Sequence, residues 1–483
     1  MNVRDLLPQA ASTEEVRGIA CDSRKVAPGF LFFAFPGQRA DGRAFAAQAV
    51  ERGAVAVVSE SARPEGFPGV WIQVEHGRRA LALAARAFYG RPDERLGITG
   101  ITGTNGKTTS SYILDSVLRA AGKTTLLVGT IEYRLGGTAE AAVNTTPESL
   151  DLFRLFAELE TAGGSHATME VSSHALALAR VHGIRFHTAV FTNLTRDHLD
   201  FHHTMEEYLA AKRMLFEGAG APPPRFAVLN YDDPYGREIQ VGTQTEVLHY
   251  GLRNGATVRA VNVQSGFDGL RFEVQHGEER VAVASPLPGR MNVYNILAAW
   301  CAASNYGIPV ETVVRGIAEC RAVPGRFEKV EAGQPFLVVV DYAHTDDALR
   351  NAISVARGLH PKRVLTLFGC GGDRDRIKRP LMGEAAAELS DFVVLTSDNP
   401  RSEDPLAIIN DAMVGLGRHD TPYLAEPDRE KAIRLMLERA EPGDIVILAG
   451  KGHETYQILR DRTIPLDDRE VARRVLGELG YRA

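Results

Sequence analysis

The stretch Leu96-Gly97-Ile98-Thr99-Gly100-Ile101-Thr102-Gly103-Thr104-Asn105-Gly106-Lys107-Thr108-Thr109 decides the fold. Its first seven residues are apolar or β-branched and predict a short strand. A glycine-rich turn follows, and after it Ile113, Leu114, Val117, Leu118 and Ala121 recur on one helical face until Gly122. Strand, glycine loop and helix N-terminus together form a cradle in which backbone N–H groups and the helix dipole face a phosphate. Lys107 is placed to reach the terminal phosphates and the Thr108 hydroxyl to reach magnesium. The stretch departs slightly from GxxxxGK[ST]: Gly100 comes one residue early, and Ile101 stands where the first glycine belongs. The competing account is a glycine-rich turn that only caps a helix.

Working outward, the pattern of strand, loop and helix repeats from residue 96, and no fixed-period repeat or low-complexity segment interrupts it. Residues 78–89 read as a helix stopped by Gly90, with Pro92 beyond it, which marks a boundary. A second break falls at Val323-Pro324-Gly325-Arg326, whereas residues 218–225 (GAGAPPPR) read as a loop inside the middle region. The expected organisation is α/β with three domains. A substrate-binding α/β domain covers 1–91, a central phosphate-loop domain with a parallel sheet covers 92–323, and a Rossmann-like, doubly wound domain covers 324–483. In the last of these, four apolar runs lead into polar motifs: Asp341-Tyr342-Ala343-His344, Gly369-Cys370-Gly371-Gly372-Asp373-Arg374, Ser397-Asp398-Asn399-Pro400-Arg401 and Gly450-Lys451-Gly452-His453-Glu454. In a parallel sheet with crossover helices these motifs gather at the carboxyl edge, where ligands bind. Taken singly, each could be a polar turn.

Composition narrows the classes. At 483 residues, 44% apolar and 24% charged, the chain is an ordinary multidomain globular protein. Its formal charge of −6 (55 basic, 61 acidic) argues against nucleic acid as the principal ligand. Cys21, Cys301, Cys320 and Cys370 form no CxxC pair, so neither a disulfide scaffold nor a zinc site is expected. The apolar runs at 336–340 and 445–449 are too short to span a membrane. The first twelve residues hold no signal-peptide core. A cytoplasmic, non-membrane-inserted enzyme is expected.

A second constellation surrounds Glu170, in Ala167-Thr168-Met169-Glu170-Val171-Ser172-Ser173-His174. A carboxylate on a buried strand needs a partner, and a nucleotide's magnesium would serve. His198, His202 and His203 follow another short strand. As a group they read more readily as a polar loop, although one of them could join Glu170 as a ligand. Lys212, on a helix predicted over 205–215, reads as an ordinary surface lysine.

Residues 103–109, 169–174, 193–200 and 341–345, in this order and at these intervals, resemble the Mur ligase family, ATP-dependent synthetases that build the peptidoglycan stem peptide. Folylpolyglutamate and cyanophycin synthetases share part of the set. Cys21-Asp22-Ser23-Arg24 followed by Gly37-Gln38-Arg39-Ala40-Asp41-Gly42 is similar to the family's uridine-binding segment. Asp398-Asn399-Pro400-Arg401 resembles the tetrad of members that add meso-diaminopimelate rather than lysine. That amino acid differs from lysine by a distal carboxylate, for which Arg401 offers a bidentate fork.

The resemblance implies residue roles. Thr108, Glu170, His198 and Lys212 as a carbamate would hold Mg2+. Residues Gly103, Thr104, Asn105, Gly106, Lys107, Thr108 and Thr109, with Asn292, Asn295, Arg326 and Asp341, would bind ATP. Cys21, Ser23, Gln38, Arg39, Ala40, Asn144, Thr145, Thr146, Ser172 and Arg180 would hold the UDP-linked muramoyl dipeptide, and Arg374, Asp398, Asn399, Pro400, Arg401, Gly450 and Glu454 the diaminopimelate. Lys107, His198, Lys212 and His344 would serve the chemistry, with His344 the candidate base for the incoming amine. Leu178 stands where some relatives carry a substrate-binding glutamine, and Cys21 and Arg39 also differ from familiar members. The implied reaction is ATP-dependent amide formation on the D-glutamate γ-carboxylate through an acyl phosphate, by a monomer acting on small molecules. The rivals are a synthetase adding lysine or another amino acid, a folate-type glutamate ligase, and a regulatory NTPase.

Overall fold

The strand Gly97–Thr102 lies near the centre of an eleven-stranded sheet, between His166–Glu170 and Thr188–Phe191, both parallel to it. The computed structural model describes residues 1–37 and 41–482. Parallel pairing continues from Thr188–Phe191 through Phe226–Asn230, Glu246–Gly251 and Val258–Gly266, and on the other side from His166–Glu170 to Thr125–Val128. These central strands are buried on both faces because helices cover each side. Lys107–Ala120, Met291–Ser304 and Val310–Glu319 pack over one core, Ser149–Thr161 and Met205–Glu217 over the other.

Both edges of this sheet end in antiparallel wings that a purely parallel reading omits. On one side Thr125–Val128 pairs with Glu132–Leu135, which pairs with Thr138–Ala141. On the other, Val258–Gly266, Gly269–His276 and Glu279–Ser285 form a meander. The reason is connection length. Gly136-Gly137, Phe267-Asp268 and Gly277-Glu278 leave only two residues between strands, enough for a hairpin and far too few for a crossover.

The N-terminal sheet is four-stranded and parallel, Gly18–Ala20, Phe30–Phe33, Ala56–Ser59 and Trp71–Gln73 in sequence order, with Gly77–Phe88 packed on its core. The C-terminal sheet runs Glu328–Val330, Leu337–Asp341, Ile445–Ala449, Val364–Cys370, Phe392–Ser397, Tyr423–Ala425. All but the first are parallel. Val339, Phe368 and Ile447 point into one core and Val338, Leu367 and Leu448 into the other, so helices sandwich the sheet in a doubly wound arrangement. The ends of Leu337–Asp341, Val364–Cys370, Phe392–Ser397 and Ile445–Ala449 lie at one edge, as the four polar motifs predict. Among the described residues no helix is long and apolar enough to cross a membrane.

Candidate active site

The phosphate loop is shaped by two glycines that admit no side chain. Gly103 has φ +147°, and a Cβ there would lie 1.9 Å from Thr192 Oγ1; Gly106 has φ +87°, with Asn295 Oδ1 2.4 Å from where its Cβ would be. The loop thus closes against the end of Thr188–Phe191 and against the helix Met291–Ser304. Lys107 opens its helix and curls back over the loop, Nζ donating to the Gly103 carbonyl at 2.9 Å and the Thr104 carbonyl at 2.8 Å. Burial lowers its pKa, against the pull of Glu170 and Asp197.

Glu170, at the end of its strand, is 0% exposed. Its Oε1 accepts from the Thr130 N–H at 2.8 Å, and its Oε2 from the hydroxyls of Thr108 at 3.0 Å and Thr130 at 3.1 Å. Among the described residues no lysine, arginine or histidine forms an ion pair with it. A buried carboxylate with only neutral donors is poorly compensated. With the Thr108 hydroxyl it offers the hard oxygens that Mg2+ takes, and Mg2+ commonly completes its shell from substrate phosphates and water. Among the described residues no group of three His, Cys, Asp or Glu could hold a metal alone. The residues present therefore fit a nucleotide-borne magnesium rather than a closed protein cage.

A cleft of about 610 Å³ joins these groups, lined by Thr104–Thr109, Glu170, Ser172, His198, Asn292, Asn295, Arg326, Asp341 and His344 among others. His198 stands at φ +54°, its Nε2 3.4 Å from Asp197 Oδ2, its ring edge-on to His174 at 4.8 Å. Asn295 Nδ2 donates to Asn292 Oδ1 at 2.9 Å, which pairs the two asparagines beside the loop. Arg326 lies over the Tyr342 ring at 4.7 Å, Nη2 donates to Thr108 Oγ1 at 3.3 Å, and its buried Nε has no partner. Asp341 Oδ2 accepts from the Phe327 N–H at 2.7 Å, and burial raises its pKa. His344 Nδ1 is 2.8 Å from the Tyr342 carbonyl.

Lys212 corrects the sequence reading. It is not a surface residue: it is 1% exposed, beneath the loop, with Nζ donating to the Gly103 carbonyl at 2.9 Å and 4.4 Å above the Tyr208 ring. Burial and then the Lys107 charge drive its pKa well below the ordinary lysine value. A helix pattern records which positions are apolar. It does not record which polar position a neighbouring loop will cover.

The residues expected to hold the muramoyl substrate form a ledge beside Glu170. Thr146 Oγ1 donates to the Glu170 carbonyl at 2.8 Å and accepts from the Ser172 N–H at 3.1 Å. Thr145 Oγ1 is 3.1 Å from Thr130 Oγ1, and the Asn144 carbonyl accepts from Tyr133. Arg180 donates to the Thr146 carbonyl and to Glu148, which also holds Arg78 of the N-terminal unit at 2.7 Å. Cys21 lies close enough to Glu148 and Asp151 that burial and these charges push its thiol up to about 11. Ser23 Oγ donates to Gln48 at 3.0 Å. Gln38, Arg39 and Ala40 lie outside the described residues.

At the C-terminal edge, Asn399 Nδ2 donates to Glu454 Oε2 at 2.9 Å. Arg401, at φ +53°, donates from Nη1 to the Gly372 carbonyl at 2.7 Å. Pro400 O sits where a Gly372 side chain would be, and Asp398 Oδ2 occupies the space beside Gly450. Arg374 is exposed and donates to the Asp373 carbonyl. Asp398 makes no ion pair with Arg401; its cation is Lys451, 3.9 Å away.

Asp347 joins the site without a distinctive sequence signal. Its Oδ2 accepts from Asn105 Nδ2 at 3.0 Å and Thr195 Oγ1 at 2.8 Å, tying the C-terminal unit to the phosphate loop. In sequence it reads only as an acidic residue in the first turn of a helix capped by Thr345.

Comparison with known proteins agrees along the whole chain. Residues 15–89 match the family model described as Mur ligase family, catalytic domain, residues 101–303 the Mur ligase middle domain, and residues 325–452 the Mur ligase, glutamate ligase domain. A protein of Solibacter usitatus (strain Ellin6076), named UDP-N-acetylmuramoyl-L-alanyl-D-glutamate--2,6-diaminopimelate ligase, is 67% identical over 99% of this chain and 97% of its own. One of the same name from Geobacillus thermodenitrificans (strain NG80-2) is 47% identical over 96% and 95%. A solved structure of a ligase of that name is 32% identical, with a TM-score of 0.72, covering 100% of this chain and 99% of that one. With three family models in order and a 67% identical relative over almost every residue, the chain belongs to the Mur ligase family.

Proposed function

We propose that the chain is an ATP-dependent amide ligase that joins meso-2,6-diaminopimelate to the D-glutamate γ-carboxylate of UDP-N-acetylmuramoyl-L-alanyl-D-glutamate in peptidoglycan synthesis. The observation that carries the reading is the double use of Glu170. Its side chain meets Thr108 of the phosphate loop while its carbonyl accepts from Thr146 of the dipeptide ledge. Phosphate donor and acyl donor thereby share one strand end. The names borne by the relatives at 67% and 47% identity supply the substrates.

In this reading a γ-carboxylate oxygen attacks the ATP γ-phosphorus and the bond to the bridging oxygen breaks. ADP and an acyl phosphate result. The diaminopimelate amine, having lost a proton, attacks the acyl carbon, and the tetrahedral intermediate expels inorganic phosphate. Lys107 and Arg326 stabilise charge on the transferring phosphoryl group, an electrostatic role worth about 10²–10³ in rate per donor. Magnesium, held through Thr108 and Glu170 with His198 beside them, would neutralise phosphate charge. The Lys212 amine, its pKa lowered by burial, is suited to take up CO2 in its neutral form: the nitrogen bonds the carbon, a proton leaves, and a carbamate anion would remain to complete that site. His344 is the candidate base for the amine. Asn292 and Asn295 frame the adenine, and Arg374, Asp398–Arg401, Gly450 and Glu454 the amino acid. The three units, taken as 1–91, 92–323 and 324–483, bring dipeptide, ATP and amino acid together by closure. The enzyme works as a cytoplasmic monomer.

The deciding experiment is phosphate release from ATP and the muramoyl dipeptide with meso-diaminopimelate, with L-lysine, or with neither. Release with diaminopimelate alone is expected. Release with lysine instead would overturn the reading of Arg401, and release without the muramoyl substrate the whole proposal.

A further inference from the structure

Lys451 is the one charged residue of the four strand-end motifs that is fully buried and lacks a role in the reaction just described. Its side chain is 0% exposed, in the turn that follows Ile445–Ala449. Burying an ammonium is unfavourable unless its donors are matched. Its Nζ donates to Glu454 Oε2 at 3.0 Å and Asn399 Oδ1 at 3.1 Å, and Asp398 Oδ1 lies 3.9 Å away. All three partners belong to the group assigned to the incoming amino acid.

The bonds fix which way those partners face. Asn399 Oδ1 accepts from both Lys451 and the Ile458 N–H, the latter at 2.9 Å, so its Nδ2 must be the atom that donates to Glu454. Glu454 Oε2 then accepts twice, and its Oε1 is the oxygen left to meet a ligand. The segment Tyr456–Ile458 closes the frame: Gln457 donates to the Asp398 carbonyl at 2.6 Å and the Arg401 N–H to the Ile458 carbonyl at 3.1 Å. Two carboxylates and one ammonium leave a net charge of −1 beside the Arg401 guanidinium. A paired negative and positive position fits a zwitterionic amino-acid terminus, with its ammonium at Glu454 and its carboxylate at Arg401. A bare alkylammonium, such as the end of lysine, satisfies only half of it.

We propose that Lys451 is a positioning residue for the incoming amino acid: it holds Glu454 and Asn399 in the orientation that presents Glu454 Oε1 to the distal ammonium. The inference rests on the reading of Asp398–Arg401 and Glu454 as the amino-acid site. The test compares Lys451→Met, Lys451→Arg, Glu454→Gln and the Lys451→Met/Glu454→Gln pair in the full chain, measuring kcat and KM for meso-diaminopimelate, L-lysine and ATP, with melting temperatures. Lys451→Met is expected to raise the KM for meso-diaminopimelate at least tenfold and to leave the KM for ATP within twofold. Lys451→Arg should recover part of that KM, and the pair should lie within threefold of Glu454→Gln alone. A lowered melting temperature with an unchanged KM for meso-diaminopimelate overturns the proposal, as does an equal rise in the KM for ATP. Should Lys451→Met not fold, the uncharged pair decides: a further tenfold rise in the KM for meso-diaminopimelate beyond Glu454→Gln overturns it. A Glu454→Gln variant with an unchanged KM for meso-diaminopimelate would instead sink the site assignment beneath it.

Discussion

The phosphate loop and the C-terminal edge proposed to take the amino acid both sit at the carboxyl ends of parallel strands, yet they are built from opposite materials. The loop is contiguous, residues 103–108, and its shape comes from backbone and two glycines against which Thr192 and Asn295 close. The edge gathers residues from 341 to 454 and is held by buried charges. Arg429 pairs with Asp468 at 2.6 Å, both 0% exposed, while donating to the Ala449 and Ser397 carbonyls. Arg379 spans Glu403, Asp411 and the Gly371 carbonyl. A phosphate is recognised by N–H groups that any sequence of the right conformation supplies; a particular amino acid needs particular side chains. The first region should therefore be intolerant of an added Cβ and the second of a changed charge.

The largest expected effect attacks the first half of that contrast. Gly103→Ala would force a methyl group to within 1.9 Å of Thr192 Oγ1 at φ +147°. Strain of about 1–3 kcal/mol plus the clash should weaken ADP binding by on the order of 10³-fold. Calorimetric titration with ADP measures it, and a loss under tenfold would mean that backbone shape is not what the loop depends on.

Acid separates the regions next. His202, 4% exposed, has its Nε2 2.8 Å from the Ser173 hydroxyl, and burial, then His174, lowers its pKa to about 4. In the unfolded chain the group titrates near its ordinary value, so between about pH 6.5 and pH 4 the unfolded state binds more protons. Stability therefore falls as pH drops through that window, by up to about 3 kcal/mol for this group at about 1.4 kcal/mol per unit. Urea unfolding at pH 7 and pH 4.5 should show His202→Gln losing less than the parent protein. Equal losses would remove His202 from the acid response.

Arg401→Lys probes the second region. It keeps the charge and loses the fork whose Nη1 donates to the Gly372 carbonyl. A charged hydrogen bond lost at about 1.5–3 kcal/mol predicts a KM for meso-diaminopimelate raised roughly 10–100-fold, with the KM for ATP unmoved. A matching rise in both constants would show that the two sites are not separately built.

The same contrast explains what the sequence made legible. The loop, its strand and its helix are local, and glycine positions with 3.6-residue periodicity carry them directly. The four C-terminal strands were equally plain as apolar runs, and parallel topology brought their polar ends to one edge. The antiparallel wings are harder to read: Gly136-Gly137 is a hairpin signal, but Thr138–Ala141 (TAEA) is exposed along its length and has no apolar face. Lys212 reads as a surface residue because its burial comes from a loop about a hundred residues earlier in the chain. Lys451 was visible as part of a motif, but its partners Asn399 and Glu454 meet it only after the sheet has formed.

The smallest effect lies where the regions touch. Asp347 opens the helix Asp346–Arg357 of the C-terminal unit and accepts from Asn105 and Thr195 of the central one, with Asn351 at 3.3 Å from the same oxygen. Asp347→Ala removes this link without touching the glycines of the loop or the charges of the edge. ADP affinity measured without amino acid should change less than about twofold, while the KM for the amino acid rises roughly fivefold, a coupling of about 1 kcal/mol. A double-mutant cycle with Asn105→Ala isolates it. An interaction energy of zero would mean that the loop and the edge, built so differently, also act independently; a value near 1 kcal/mol would make the Asp347 carboxylate a contact through which the nucleotide site senses the position of the amino-acid site.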